Sequence, residues 1–157
     1  METGAAQRFL VEVRFKDIID APEFAELHRE YSAECSIPEL GPTDPQKDIY
    51  ANMEKIGLMH SFAFYCDGAL AGFATLLLFI LPHYGKKVAN VESLFLAKPY
   101  RTGDSGRSLM KNLEYFAAHE GCCAMLYNAR AGSRLEKFLE ALSGYQRTNS
   151  VFLRSVA

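Results

Sequence analysis

The sequence of 157 residues has no excess of basic residues. Its 17 Lys and Arg residues are matched by 19 Asp and Glu residues, which gives a formal charge of -2. A protein that binds the phosphate backbone of nucleic acid usually carries a basic surplus, at least locally. We therefore expect no nucleic-acid partner, and strongly salt-dependent binding of DNA or RNA is the result that would reverse this expectation.

Cysteine is scarce and is not arranged as a ligand set. The four cysteines are Cys35, Cys66, Cys122 and Cys123, and none of them forms the CxxC spacing that zinc ligands favour. The adjacent pair also argues against a disulfide framework. We predict neither a metal nor a disulfide, and reduced thiols fit a cytoplasmic protein.

Long hydrophobic runs are missing as well. The longest apolar stretch, Ala69 to Leu81, is shorter than the roughly 20 residues that span a bilayer. A buried strand is the better interpretation of that stretch, and we expect no membrane partner. The segment from Met1 to Gln7 has no basic region followed by a long apolar one, so no secretory signal is expected.

The composition that remains is that of a folded globular protein. Apolar residues make up 49% and charged residues 23% of the chain, close to average usage. The length corresponds to about one domain of roughly 100 to 200 residues, and the sequence contains no internal repeat or Gly/Ser linker. We predict a single domain over 1–157.

Hydrophobic periodicity predicts an alternation of strands and helices. Strands are predicted over 8–15, 59–66, 69–81, 88–97, 123–129, 145–147 and 150–156. Helices are predicted over 20–35 and 44–56, from the end of the loop 101–106 to residue 120, and over 133–144. In the first strand Phe9, Val11, Val13 and Phe15 alternate with mainly polar residues, so this apolar side of a half-buried strand is expected to face inward. Asp67-Gly68 favours a tight hairpin turn. Because the fourth and fifth strands are joined through a helix, they should be parallel within an otherwise antiparallel sheet.

Helix starts are predicted from capping residues. Asp20, Thr43 and Ser133 are each followed three residues later by Glu or Gln, the spacing that favours a helix N-terminus. Gly57, Gly121 and Gly144 are placed where helices are expected to stop.

The loop between the fourth strand and the following helix is the most informative segment. Arg101 to Gly106 is small and polar, and it contains Gly103 as well as Gly106. Unpaired N–H groups and the positive end of the helix dipole make such a helix start suitable for a phosphate or pyrophosphate. The alternative is that these glycines only form a tight turn.

At these residues the chain resembles the GCN5-related N-acetyltransferase (GNAT) family. Arg101-Thr-Gly-Asp-Ser-Gly106 is similar to the Arg/Gln-x-x-Gly-x-Gly/Ala motif that binds acetyl-coenzyme A in that family, and Leu109 and Met110 match the apolar pair after it. The chain departs from the motif at Asp104, which replaces the first motif glycine. This carboxylate would lie near the expected pyrophosphate, while Gly103 supplies flexibility one residue earlier.

The resemblance implies a single-domain GNAT-type α/β fold: a mixed, mostly antiparallel sheet in which strands four and five are parallel, splayed and flanked by helices. It also implies acetyl-CoA as cosubstrate and no metal. The pantetheine arm would pair with the backbone of the fourth strand. The cofactor-binding residues implied are Leu94, Phe95, Leu96, Arg101, Thr102, Gly103, Asp104, Ser105, Gly106, Arg107 and Asn128.

Glu92 is the candidate general base or amine-orienting residue. An alkyl ammonium with a pKa near 10.4 is neutral in only about one molecule in a few thousand at pH 7, so acyl transfer to an amine profits from a proton acceptor. Glu92 lies in an otherwise apolar strand, at a position where many members of the family have an acidic residue. The alternative is that Glu92 only forms a cross-strand ion pair.

The general acid is less obvious from the sequence. Many members of the family have a Tyr in the last helix that protonates the departing thiolate, but Leu139 occupies the corresponding position here. Tyr145 is our candidate for that role, with Tyr127 or water as alternatives.

The resemblance implies transfer of an acetyl group to a primary amine, by direct attack in a ternary complex. The acceptor is expected to be a small molecule or a protein lysine or N-terminus. The alternative is a catalytically degenerate GNAT-fold interaction module, in which Asp104 and Leu139 have removed coenzyme binding or catalysis. Related folds often pair through sheet edges or C-terminal strands, so a homodimer is a further expectation.

Overall fold

A computed structural model describes residues 6–156 of the chain. Its elements are β1 (Arg8–Val13), α1 (Phe15–Ile19), α2 (Phe24–Cys35), α3 (Lys47–Lys55), β2 (Met59–Cys66), β3 (Ala69–Leu81), β4 (Lys86–Leu96), α4 (Ser105–His119), β5 (Ala124–Tyr127) and α5 (Arg134–Ala141). Short 3-10 turns occur at Pro38–Leu40 and Lys98–Tyr100. Most of the segment on which the expectation of no secretory signal was based lies outside the described residues.

The five strands form one mixed sheet in the order β1-β2-β3-β4-β5. The first three pairings are antiparallel. The last pairing is parallel and runs from Val88 opposite Ala124 to Val91 opposite Tyr127. The predicted α/β class with parallel fourth and fifth strands is therefore confirmed.

Each face of the sheet carries its own hydrophobic cluster. On one face α4 packs through Leu109, Leu113 and Ala117 onto residues of β2, β3 and β4. On the other face α1 and α2 pack through Phe15, Ile18 and Leu27. The sheet is thus covered by helices on both sides, which explains why β3 reads as a nearly continuous apolar run.

A β-bulge interrupts the pairing of β3 with β4. Thr75 lies opposite Ser93, whereas the next residue of β3, Leu76, lies opposite Val91, so Glu92 is the extra residue of β4. A bulge changes the direction of side chains and is frequent beside active sites. Here it places two consecutive residues, Glu92 and Ser93, within reach of the same Thr75 hydroxyl.

The first strand is shorter and more exposed than its alternation predicts. β1 ends at Val13, and Phe15 begins α1 instead of continuing the strand. Phe9 and Val11 are 44% and 38% exposed, so the prediction that they face inward is wrong. The reason is position: β1 is the outermost strand, and the two helical layers do not extend over these side chains.

The predicted helix starts differ in accuracy. Ser133 caps α5 as predicted, because its Oγ accepts a hydrogen bond from the N–H of Glu136 at 3.2 Å. Asp20 instead ends α1, and its carboxylate pairs with Lys47 at 3.2 Å. The hydroxyl of Thr43 contacts His28 Nε2 at 2.9 Å, and the third helix begins only at Lys47.

The turn prediction and the helix stops at Gly57 and Gly121 agree with the backbone, whereas α5 ends at Ala141, three residues before the predicted stop at Gly144. Asp67 and Gly68 adopt φ angles of 49° and 82° in the β2–β3 turn, as a tight hairpin requires. Gly57 follows α3 with a φ of 71°.

The two strands predicted after the last helix are wrong, because no strand follows β5 within residues 6–156. Val151 and Phe152 are each 91% exposed and Val156 is 96% exposed. Their β-forming sequence is not enough, since a strand also needs a hydrogen-bonding neighbour. No helix in the described part of the chain is long and apolar enough to cross a membrane.

We predict that Gly72→Ala destabilises the fold. A Cβ at Gly72 would lie 2.4 Å from the carbonyl oxygen of Phe95 and 3.1 Å from Leu96 Cα, both backbone atoms that cannot rotate away. The expected loss in the free energy of unfolding is about 1–3 kcal/mol, measured by chemical denaturation.

The matched control is Gly106→Ala, since a Cβ there has nothing within 4 Å and the residue is helical. That variant should be stabilised by up to about 1 kcal/mol. Equal denaturation midpoints for Gly72→Ala and wild type would contradict the close approach of β3 to β4.

Candidate active site

The site begins where β5 stops pairing with β4. The last paired residues are Val91 and Tyr127. The side chain of Asn128 then closes the ladder, because its Nδ2 donates to the carbonyl of Val91 at 3.1 Å and to Asn90 Oδ1 at 3.0 Å. Beyond this point, in the described part of the chain, the outer edge of β4 has no strand beside it.

Backbone groups of β4 point into that open edge. Ala97 N–H bonds to β3 at the carbonyl of Ala71, so in the antiparallel register the alternate residues Leu94 and Leu96 direct their N–H and C=O groups away from β3. The N–H of Phe95 is directed toward β3. The predicted cofactor residues Leu94 and Leu96 thus have backbone groups available at the edge.

Arg101 lies at the far end of this edge and is already engaged. Its Nε donates to the carbonyl of Leu96 at 2.6 Å, and its Nη2 donates to Glu34 Oε2 at 2.9 Å. The guanidinium also lies 5.1 Å from the ring centroid of Phe95. Arg101 therefore joins the end of β4 to α2, and its charge is largely neutralised by Glu34.

The loop before α4 exposes the start of that helix. Gly103 has a φ of 56°, and the backbone of Asp104 forms the N-cap while its exposed carboxylate makes no capping hydrogen bond. Among the backbone hydrogen bonds of residues 6–156, none is donated by the N–H of Gly106 or Arg107 to the preceding loop. These groups and the helix dipole make the α4 N-terminus attractive to an anion.

Arg8 reaches this loop from β1, which the sequence did not predict. Its Nη1 donates to Ser105 Oγ at 2.6 Å and its Nη2 donates to Thr102 Oγ1 at 3.2 Å. Ser105 is buried, and its hydroxyl donates a hydrogen bond to the carbonyl oxygen of Thr102 at 2.7 Å. Two predicted cofactor residues therefore hold the loop in shape through their hydroxyl groups.

Glu92 is exposed and is held by two hydroxyl donors. Tyr50 on α3 donates to both carboxylate oxygens, at 3.2 Å each, and Thr75 on β3 donates to Oε2 at 2.5 Å. None of the ion pairs among residues 6–156 includes Glu92, so the alternative of a cross-strand ion pair is not realised.

Tyr145 lies elsewhere in the fold. Its hydroxyl donates to Glu114 Oε1 on α4, and Tyr127 donates to the same oxygen at 2.8 Å. Burial, followed by the hydrogen bond to Glu114, raises the pKa of Tyr145 to about 12, so the phenol keeps its proton at neutral pH. Tyr127 and α4 belong to the hydrophobic cluster on one face, whereas Tyr50, the partner of Glu92, belongs to the other. No hydrogen bond within the described chain joins Glu92 to Tyr145.

Among the described residues, no hydrogen bond or ion pair joins a histidine or a cysteine to Glu92, whose partners are Tyr50 and Thr75. His60 Nδ1 contacts Glu12 Oε1 at 2.7 Å, and His83 lies in the turn between β3 and β4 beside Tyr84. Burial raises the pKa of the thiols of Cys35 and Cys122. In residues 6–156 no three His, Cys, Asp or Glu residues are grouped so as to hold a metal ion.

Three site residues were missed by the sequence analysis: Tyr50, Thr75 and Arg8. Thr75 had a signal in the sequence, because it is a polar residue inside the apolar run of β3. In the structure it is fully buried. Tyr50 had no such signal, because nothing in the sequence indicates that its hydroxyl faces Glu92. Arg8 reaches the loop across 97 residues of sequence, a distance over which no local pattern gives information.

Solved structures share this fold at low sequence identity. The ribosomal-protein-alanine N-acetyltransferase from Brucella melitensis biovar Abortus 2308 has a TM-score of 0.71 and 17% identity, covering 95% of this chain and 99% of that one. The aminoglycoside acetyltransferase meta-AAC0020 from an uncultured soil metagenomic sample, in complex with sisomicin, has a TM-score of 0.70 and 14% identity, with 96% and 97% covered.

A third similar structure is AAC(6')-Iy in complex with the bisubstrate analog CoA-S-monomethyl-acetylneamine. It has a TM-score of 0.67 and 16% identity, covering 96% of this chain and 99% of that chain. No curated protein sequence matches this chain. The family model described as acetyltransferase (GNAT) family matches residues 23–145. This match includes the divergence of β4 from β5, the loop and α4, and the chain therefore belongs to the GNAT acetyltransferase family.

Proposed function

We propose that the protein is an acetyl-CoA-dependent N-acetyltransferase that acetylates a primary amine, on a small molecule or on a protein lysine or N-terminus. One observation carries the proposal: a single strand, β4, presents the exposed carboxylate of Glu92 and then an open backbone edge that leads to the N-terminus of α4. A proton acceptor, an edge for amides and an anion site thus follow one another along the chain.

The residues fit the cosubstrate in its two parts. The amides of the pantetheine arm would pair with Leu94 and Leu96, as an added strand pairs with a sheet edge. The pyrophosphate would lie against the N–H groups of Gly106 and Arg107. The full set of residues proposed to contact acetyl-CoA is the set predicted from the sequence: Leu94, Phe95, Leu96, Arg101, Thr102, Gly103, Asp104, Ser105, Gly106, Arg107 and Asn128. When bound, acetyl-CoA supplies a thioester carbonyl open to attack.

In the proposed reaction the amine nitrogen attacks the thioester carbonyl in a ternary complex. The acceptor ammonium first gives one proton to Glu92, directly or through water. The neutral amine then forms the C–N bond as the C–S bond breaks, and one further proton leaves the nitrogen for solvent. The N–H of Leu94 points into the edge on the side nearer Glu92 and is the donor to the developing oxyanion, because the N–H of Leu96 pairs with the pantetheine arm and that of Phe95 points toward β3. The departing thiolate takes a proton from water or from Tyr145, provided that Tyr145 leaves Glu114.

Two similar proteins support an amine acceptor. One is described as a ribosomal-protein-alanine N-acetyltransferase and another was crystallised with the aminoglycoside sisomicin. The exposed Glu92 carboxylate suits the ammonium form of either kind of acceptor. A cytoplasmic location belongs to the same proposal, supported by four cysteines that are all unpaired.

A second candidate function is a degenerate interaction module that keeps the fold without using the coenzyme. The observation in its favour is Asp104, whose exposed carboxylate lies at the N-cap of α4 without a capping hydrogen bond. A negative charge there would repel a pyrophosphate. Measurements of coenzyme binding distinguish the two functions.

We predict that Glu92→Gln lowers kcat for acetyl transfer by at least about 100-fold, the usual contribution of a general base. The affinity for acetyl-CoA should remain unchanged, because the cosubstrate is expected to bind beyond Glu92. The measurement is thiol release from acetyl-CoA in the presence of a panel of primary amines, with calorimetry for the affinity.

Glu12→Gln is the matched control, since Glu12 is a glutamate on β1 that contacts His60. It should retain the wild-type rate. Wild-type turnover by Glu92→Gln would remove Glu92 from the mechanism.

We predict that Gly106→Glu weakens acetyl-CoA binding at least about tenfold while the fold is preserved, because a like charge would face the pyrophosphate. A side chain at this position has open space, as nothing lies within 4 Å of a Cβ. Calorimetric titration measures the affinity.

Gly106→Gln has nearly the same size without the charge, so it separates repulsion from bulk and should bind more tightly than Gly106→Glu. Unchanged affinity in both variants would overturn the placement of the pyrophosphate. If the wild type does not bind at millimolar acetyl-CoA, the interaction module is favoured, and Asp104→Gly becomes the variant that tests repulsion.

A homodimer formed through the C-terminal segment 146–156 is also part of the proposal. Val151, Phe152 and Val156 are almost fully exposed, and β5 has no described neighbour on its outer edge. Exposed β-forming residues are able to pair with a strand of another chain, and a second copy brings both an identical segment and an identical edge, which suits two-fold pairing.

We predict that the full chain is a dimer by light scattering after size-exclusion chromatography, and that the double variant Val151→Asp, Phe152→Asp is monomeric. The double variant Thr148→Asp, Asn149→Asp adds the same charge at polar positions of the same segment and should remain dimeric. A wild-type monomer at every concentration measured would overturn the proposal.

A further inference from the structure

Tyr50 occupies a special position relative to Glu92. Its hydroxyl is 3.2 Å from both carboxylate oxygens, so its one proton is shared between them. Thr75 donates to Oε2 alone. Each carboxylate oxygen accepts about two hydrogen bonds, which leaves Oε1 with room for a further donor such as an ammonium or a water.

The donors have fixed directions. A carboxylate only accepts, so Thr75 must give its single proton to Glu92, and Ser93, whose Oγ lies 2.6 Å from Thr75 Oγ1, must donate to Thr75. Both residues are buried. The hydroxyl groups of Ser93 and Thr75 thus orient Oε2 from the sheet, while Tyr50 orients the carboxylate from α3.

The ring of Tyr50 is in turn held by residues that do not touch Glu92. It stacks on Phe15 with ring centroids 3.8 Å apart and an interplanar angle of 12°. One helical turn further along α3, Glu54 Oε1 accepts hydrogen bonds from the N–H of Phe15 and from Ser61 Oγ, each at 2.7 Å. These contacts fix α3 against α1 and β2.

The influence of Glu92 is visible on the tyrosines around it. Burial and then the Glu92 carboxylate raise the pKa of Tyr50 above its ordinary value, and the same two causes act on Tyr31 of α2. Both phenols therefore stay protonated at neutral pH. Only Tyr50 has its hydroxyl within hydrogen-bond distance of the carboxylate.

We propose that Tyr50 is a positioning residue, which holds the Glu92 carboxylate in the orientation that leaves Oε1 open to the acceptor amine. This inference rests on the proposed function, because it assigns Tyr50 a role through Glu92. The α3 contacts of Phe15, Glu54 and Ser61 serve it by fixing where the Tyr50 hydroxyl lies.

The test is a double-mutant cycle with Tyr50→Phe and Glu92→Gln. Tyr50→Phe removes the hydroxyl and keeps a ring that can stack on Phe15. Because the carboxylate loses one of its two orienting donors, kcat should fall about tenfold or more, with unchanged acetyl-CoA affinity and a melting temperature lowered by no more than a few degrees. In the Glu92→Gln background the same change should have no further effect on kcat, since residues that act as a unit are not additive.

Tyr65→Phe is the matched control, because Tyr65 also stacks on a phenylalanine, Phe9, at 5.3 Å, but on the β1 edge of the sheet. It should retain wild-type kcat. A Tyr50→Phe variant as fast as wild type, or one whose effect multiplies with that of Glu92→Gln, overturns the role of Tyr50 while leaving Glu92 in the mechanism. If Glu92→Gln is itself fully active, or no amine is acetylated, the proposed function fails first and the inference fails with it.

Discussion

The site depends on the point at which β5 leaves β4. Parallel pairing stops at Val91, where the Asn128 side chain takes the carbonyl that a further residue of β5 would have bound. If the ladder continued, Leu94 and Leu96 would have their backbone groups satisfied within the sheet. Because it stops, an edge remains open in the middle of a sheet whose faces are both covered by helices. The loop and α4 then continue directly from that edge.

The bulge at Glu92 is the second constraint, and it acts on the side chain rather than the backbone. Without the extra residue, strict alternation would place the side chains of Glu92 and Ser93 on different faces of the sheet. With it, Glu92 and Ser93 both reach Thr75, and the carboxylate meets Tyr50 from α3. Glu92 lies in a strand made mostly of core residues. The bulge keeps its carboxylate exposed, and the hydroxyl groups of Tyr50 and Thr75 orient it.

The β2–β3 hairpin, the parallel pairing of β4 with β5 and the start of α5 could be predicted because they follow from local patterns: the turn at Asp67-Gly68, a helix between two strands, and the cap at Ser133. The two C-terminal strands could not be predicted correctly, since their sequence has the right propensity but this chain offers them no neighbour. The exposure of Phe9 was missed for a related reason. Periodicity gives the two sides of a strand, whereas the covering of each side depends on the helices packed there.

The sequence by itself determined the chemistry available to this protein: the glycine-containing loop, the carboxylate of Glu92 in an apolar strand, and the resemblance that joins them to a family. Only the tertiary structure decided how those groups are held. Tyr50, Thr75 and Arg8 reach the site from three other elements, through contacts separated by 42, 17 and 97 residues. Side-chain contacts over such separations depend on how the elements pack, and a local pattern contains no information about that packing.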